Sequence, residues 1–171
     1  MVVFNDLIIK SNNVIDNINF FKIFKVLEEN KGGIKDYQDF YYQLNIVVTK
    51  KSDNVRMLMA KVKARVAKLH EENQEYYDSI SNLEQGLSTL EDSLVPPFLL
   101  YYQIYRYYGF LHYKVGDTKK AVEALTESVE MIEKYLNHSD DVVASNENTK
   151  NQAKAFNTLA ILDLSKSEEW L

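Results

Sequence analysis

Apolar residues recur every three or four positions along most of this chain, which is the spacing that places side chains on one face of an α-helix. Short helix-breaking segments separate successive stretches of this kind: Lys31-Gly32-Gly33, the polar run TKKSDN at 49–54, Pro96-Pro97, and Gly116-Asp117. The whole sequence has only 5 glycines and 2 prolines, too few for the many turns of an all-β protein. The pattern therefore predicts an all-α fold.

The breaks divide the sequence into helix pairs at about 14–48, 54–91 and 98–137. A polar, asparagine-rich loop follows, and a lone helix is predicted from about 151, all within one domain over 1–171. Asp53 is the predicted cap of the helix from 54. Gly116 and Asp117 are predicted to end one helix and cap the next.

Small residues lie at regular places in the third pair, in the pattern Tyr105-x2-Tyr108-Gly109-x2-His112 followed by Ala121-x3-Leu125-x2-Ser128. Gly109, Ala121 and Ser128 would let two antiparallel helices approach closely. This pattern resembles the tetratricopeptide repeat, and Ala67, Ser79 and Gly86 occupy the equivalent places 42 positions earlier. The resemblance implies antiparallel helix pairs stacked as a right-handed solenoid.

In tetratricopeptide proteins the first helix of each pair lines a concave face that holds an extended peptide or a partner helix. The resemblance therefore implies a non-catalytic scaffold or adaptor that binds a protein or peptide. The residues predicted on this face are Lys61, Arg65, Lys68, Gln103, Arg106, Phe110, Tyr113, Lys114, Lys154 and Asn157. Cations among aromatic rings suit acidic residues or a C-terminal carboxylate, although a charged helix face is also commonly just solvated.

Two other functions are compatible with helices of this kind. Helix pairs near 40 residues are similar to those of proteasome-lid and signalosome subunits, which are structural. They are also similar to the peptide-sensing regulators of Gram-positive bacteria, here without a DNA-binding domain. The apolar face Phe156, Leu159 and Leu162 predicts self-association or continuation of the array through the last helix, and the alternative is that this helix caps the array.

Composition argues against several other functions. A net charge of -5 is unusual for a nucleic-acid binder, and the absence of cysteine excludes disulfides and zinc–cysteine sites. No apolar run reaches the ~20 residues of a membrane span, and the start lacks a secretory layout, so a cytoplasmic or nuclear protein is predicted. His70 and His112 are predicted to be packed rings rather than ligands. No enzyme, metal or cofactor is predicted.

The tyrosines of the predicted helix 98–115 follow the same periodicity. Tyr101, Tyr105, Tyr108 and His112 are spaced by four, three and four, which places them on one helix face. An aromatic stripe beside a seam of small residues usually lies in the core, so all four are predicted to be buried.

Overall fold

The computed structural model describes residues 17–47 and 52–138, and side chains over 20–46 and 52–138. These ranges contain helices and no strand, so the described part of the protein is all-α as predicted. The helices are α1 (Asn17–Glu29), α2 (Ile34–Val47), α3 (Asp53–Glu72), α4 (Tyr76–Glu91), α5 (Phe98–Lys114) and α6 (Thr118–His138). The lone helix predicted from about 151 lies outside the described residues.

The largest packing contacts in the described ranges lie within two helix pairs, α3 with α4 and α5 with α6. The hydroxyl of Ser79, near the start of α4, donates to the carbonyl of Ala67, near the end of α3, at 2.7 Å. Gly86, further along α4, lies against Ala60 in the middle of α3. These opposite-running contacts make the pair antiparallel.

The turns within the two pairs share one hydrogen-bonding pattern. In the first, the Glu75 N–H donates to the His70 carbonyl at 2.9 Å, and in the second the Asp117 N–H donates to the His112 carbonyl at 2.9 Å. The residue before each donor has a left-handed backbone, with φ 65° at Gln74 and 81° at Gly116. Each turn therefore reverses the chain within three residues.

Helix capping follows the prediction at Asp117 and departs from it at Asp53. Asp117 Oδ1 accepts from the Lys120 N–H at 3.1 Å, as expected of an N-cap. The cap of α3 is instead Ser52, whose extended backbone leaves its hydroxyl facing the Val55 N–H at 3.5 Å. Asp53 is already helical, and its carboxylate accepts from the N–H groups of Leu94 and Val95, both at 3.0 Å.

The buried apolar side chains form two main clusters that meet at α3. One face of α3 packs on α1 and α2 through Val55, Leu58, Met59, Val62 and Val66. Another face, carrying Ala60 and Ala67, packs on α4 and α5. Two faces of α3 therefore pack against other helices. The predicted partner-binding cations Lys61, Arg65 and Lys68 lie on the remaining face.

The predicted aromatic core of α5 is only partly correct. His112 is 4% exposed, but Tyr101, Tyr105 and Tyr108 are only half-buried. The fully packed positions of α5 are Leu100, Ile104 and Leu111, together with Gly109 and His112. The Tyr108 hydroxyl donates to the exposed Glu84 at 2.7 Å, which keeps this ring at the rim of the core.

Among the described residues, no helix combines the length and the hydropathy needed to cross a bilayer.

Candidate partner-binding groove

A groove of about 520 Å³ lies between α1, α3 and α5, and four of the residues predicted to bind a partner line it. These four are Lys61, Arg65 and Lys68 of α3 and Gln103 of α5. We call this surface the basic groove. Its full lining is Phe24, Glu28, Lys61, Ala64, Arg65, Lys68, Leu100, Gln103, Ile104 and Tyr107.

The spacing along α3 explains why three cations share this groove. Lys61, Arg65 and Lys68 are separated by four and three residues, so they lie on one face of the helix. The buried positions Val62 and Val66 lie on a neighbouring face and pack on α1 and α2. Packing of α3 on both sides therefore fixes the direction in which its basic face is presented.

Lys68 is already engaged by its own chain. Its ammonium lies 2.6 Å from Glu71 Oε2, and the Tyr107 hydroxyl donates to the same oxygen at 2.6 Å. Burial opposes the charge of Glu71, but these hydrogen bonds outweigh it and lower the pKa of the Glu71 carboxyl. Burial and the bond to Glu71 raise the pKa of the Tyr107 hydroxyl. Lys68 thus brings less free charge to the groove than its position suggests.

Lys61 and Arg65 have no such partner in the part of the chain that the structure describes. Within the described ranges neither residue forms an ion pair, although Glu28 also lines the groove. The Nε of Arg65 is buried and has no hydrogen-bond acceptor among the described residues. A buried donor without an acceptor is costly and uncommon in folded proteins. Because Arg65 and Lys61 both line the groove, an anionic group bound there would lie beside two cations that form no ion pair within the described residues.

Four other predicted residues, all described, do not line this groove. Arg106, Phe110, Tyr113 and Lys114 are exposed on α5, where the Lys114 ammonium lies 5.2 Å from the centroid of the Phe110 ring. Lys154 and Asn157 lie outside the described residues.

A second depression of about 520 Å³ adjoins the basic groove, and sequence reasoning missed it. We call it the apolar pocket. Its lining is Met57, Lys61, Val95, Pro96, Pro97, Phe98, Leu99, Leu100, Gln103, Tyr135 and His138. The sequence signal for it is the run Leu94-Val95-Pro96-Pro97, in which apolar residues stand beside two prolines that predict only a helix stop.

The two histidines at equivalent places in the helix pairs have different surroundings. His112 is buried with its ring against Tyr108, 4.4 Å between centroids. Among the described residues neither ring nitrogen forms a hydrogen bond, although Asp117 Oδ2 lies 3.6 Å from Nδ1. His112 is therefore a packed ring, as predicted. His70 is less buried, and its Nδ1 lies 2.7 Å from Glu75 Oε2.

One group of side chains has the composition of a metal site. One ligand atom from each of His70, Glu75 and Asp78 lies within 4.8 Å of the others, so the three could reach one cation. Glu75 and Asp78 also flank the start of α4, where the helix dipole favours carboxylates without any metal. The helix start alone thus accounts for the two acids.

Comparison with known proteins adds no assignment. No protein-family model matches the sequence, and a search of curated proteins finds no match.

Proposed function

We propose that this protein is a non-catalytic binding module, a scaffold or adaptor that holds an acidic protein segment or peptide in the basic groove. The observation that carries this proposal is that two cations, Lys61 and Arg65, line one groove and form no ion pair within the described residues. A guanidinium can form two parallel hydrogen bonds with a carboxylate, and its affinity for one is higher where water is partly excluded.

We further propose that the helix pairs α3–α4 and α5–α6 are successive units of a tetratricopeptide-like right-handed solenoid. The pairs correspond at a constant offset of 42 residues: α3 and α5 end at Glu72 and Lys114, and α4 and α6 begin at Tyr76 and Thr118. The left-handed residue and the main-chain hydrogen bond of the turn keep the same offset. In such an array the first helices of successive pairs lie side by side, which supports a role for the α3–α5 groove.

The alternative function is a structural subunit of a larger complex, similar to the helical repeats of proteasome-lid and signalosome proteins. Exposed apolar residues beside the prolines favour it: Leu94 is 92% exposed and Val95 72%. Contiguous exposed apolar surface is typical of sites that contact another protein. Such an interface would depend little on Lys61 or Arg65, so the two functions can be separated experimentally.

The test compares partner capture by two variants in lysate from the source cells. The groove variant is Lys61→Gln with Arg65→Gln, and the control variant is Lys35→Gln with Lys119→Gln. Both remove two positive charges, and both control lysines are exposed and outside the groove. We expect the groove variant to lose captured proteins at least about fivefold and the control variant to retain them, because charged contacts within an interface are strong.

Salt provides the second measurement. Raising the salt from ~0.15 M to ~1 M shortens the screening length from ~8 Å to ~3 Å and should weaken capture by the unmodified protein. Equal capture by all three proteins at both salt concentrations would contradict the proposed function and favour the structural subunit. Circular dichroism of each variant establishes that the helices are intact.

A further inference from the structure

The basic groove and the apolar pocket are two halves of one continuous surface. Lys61, Leu100 and Gln103 line both of them. Met57, Lys61 and Arg65 follow one another at intervals of four along α3, so they lie in a row from the apolar half to the basic half. A ligand lying along this row would contact apolar side chains at one end and the Arg65 side chain at the other.

Hydrogen bonds to the Asp53 carboxylate fix the loop that lines the apolar half. The carboxylate of Asp53 accepts from the main-chain N–H groups of Leu94 and Val95, which ties this loop to the start of α3. Pro96 and Pro97 restrict the backbone further. Leu99, which lines the pocket, is 39% exposed, and Val95 is 72% exposed. An apolar side chain bound here would be removed from water without the cost of ordering the loop.

The middle of the surface offers hydrogen bonds rather than charge. Gln103 is exposed, and within the described residues its side-chain amide forms no hydrogen bond. An amide carries both donors and an acceptor, which match the free N–H and C=O groups of an extended main chain. The interior of a helical ligand has no free main-chain groups to offer. Gln103 therefore favours an extended ligand.

We propose, resting on the binding function above, that the bound segment is an extended peptide with a bulky apolar side chain about four residues from a carboxylate. From Met57 to Arg65, eight residues of helix at ~1.5 Å each span ~12 Å. An extended chain advances ~3.3 Å per residue, so ~12 Å corresponds to about four residues. The apolar side chain occupies the pocket at Val95 and Leu99, and the carboxylate pairs with Arg65 and Lys61.

The experiment measures binding of short labelled peptides to the full chain by fluorescence anisotropy at ~0.15 M salt. The parent peptide is a Gly/Ser chain with one phenylalanine about four residues from one glutamate. Three relatives replace the phenylalanine by serine, replace the glutamate by glutamine, or place the two side by side. We expect each relative to bind at least about tenfold more weakly, since each loses either the apolar burial or the charged pair.

Matched variants locate the peptide on the protein. Leu99→Ser should weaken the parent peptide about tenfold and leave the phenylalanine-free peptide unchanged. Leu94→Ser, in the same loop but outside the pocket lining, should change neither. The groove variant should lose all glutamate-dependent binding, and the control variant should lose none.

Failure of this inference can be distinguished from failure of the proposed function. If the parent and the phenylalanine-free peptide bind equally, and both require Lys61 and Arg65, the basic groove stands and the apolar half has no part in it. That result is also expected if residues 139–171 or a second copy of the chain cover the pocket, and it overturns the inference. If glutamine in place of glutamate changes nothing, both proposals are wrong.

Discussion

The helix pairs α3–α4 and α5–α6 share a turn but bring their helices together by different means. At the first seam, a hydroxyl on α4 donates across to an α3 carbonyl, from Ser79 to Ala67. At the second seam the equivalent places are Ala121 and Gly109, and an added Cβ on Gly109 would lie 2.9 Å from Leu125 Cγ and 3.1 Å from the Ala121 carbonyl oxygen. A hydrogen bond joins the helices at the first seam, whereas at the second seam they approach closely because Gly109 has no side chain. The two seams should therefore respond differently to the same substitution.

Of the substitutions compared, Gly109→Ala should have the largest effect on stability. We expect it to lower the free energy of unfolding by about 2 kcal/mol, because overpacking of this severity costs about 3 kcal/mol and the better helix propensity of alanine returns about 1 kcal/mol. Urea unfolding of the full chain, followed by circular dichroism, measures the difference.

Gly86→Ala is the matched control, because Gly86 is the buried glycine of the other pair. A Cβ there would lie 3.4 Å from Lys63 Cβ and 3.5 Å from the Ala60 carbonyl oxygen, which is ordinary van der Waals contact. The same substitution should leave stability unchanged or raise it by up to about 1 kcal/mol. Equal destabilisation by both alanines would show that the seams do not differ in the way described.

The equivalent histidines provide the second comparison, through the pH dependence of stability. Burial of His112 lowers the pKa of its imidazole below the ordinary value of 6.5. Asp117 and Glu84 favour the charged ring and Lys120 opposes it, while Tyr108 contributes a neutral ring. Between 6.5 and the lowered pKa, the unfolded chain binds a proton that the folded chain does not. The contribution of neutral His112 to the free energy of unfolding is therefore fully present above pH 6.5. It falls as the pH drops through this window, by at most about 1.4 kcal/mol per pH unit.

Unfolding curves between about pH 7 and pH 5 measure this slope. Most carboxylates titrate below this pH range. His112→Phe keeps an aromatic ring against Tyr108 and removes the titrating group. We expect the slope of this variant to be shallower than that of the unmodified protein. An unchanged slope would mean that His112 is not the group responsible, and titration of its ring by NMR would provide the independent measurement.

Local sequence chemistry carried much of the information about the fold. Helical spacing, Gly32-Gly33, Pro96-Pro97 and Gly116-Asp117 predicted where the described helices end, because periodicity and turn residues act within a few positions. The cap of α3 was assigned wrongly, since Ser52 and Asp53 are both good cap residues. The loop that Asp53 binds lies some forty residues away, beyond the reach of a local rule.

The candidate site was predictable only in part, for a related reason. Spacing on one helix placed Lys61, Arg65 and Lys68 together, and the groove contains all three. Spacing could not show that Glu71 neutralises Lys68, or that Tyr107 joins them from another helix. Nor could it show that the loop before α5 builds an apolar pocket beside the cations. Each of these features depends on how α3 and α5 are placed relative to one another.

The two turns offer the last and smallest comparison, because glycine occupies the left-handed position in only one of them. Gly116→Ala should destabilise the protein by about 1 kcal/mol: a side chain at this φ costs about 1–2 kcal/mol, part of which returns through a less flexible unfolded chain. Apart from its chain neighbours, no atom of the described residues lies within 4 Å of the added Cβ, so packing does not contribute. Gln74→Gly should have the opposite effect and stabilise by about 0.5 kcal/mol. Gln74 is exposed, and no side-chain hydrogen bond holds it within the described residues. Urea unfolding of both variants provides the measurement, and a loss of stability in Gln74→Gly would mean that its side chain supports the turn in a way that Gly116 does not.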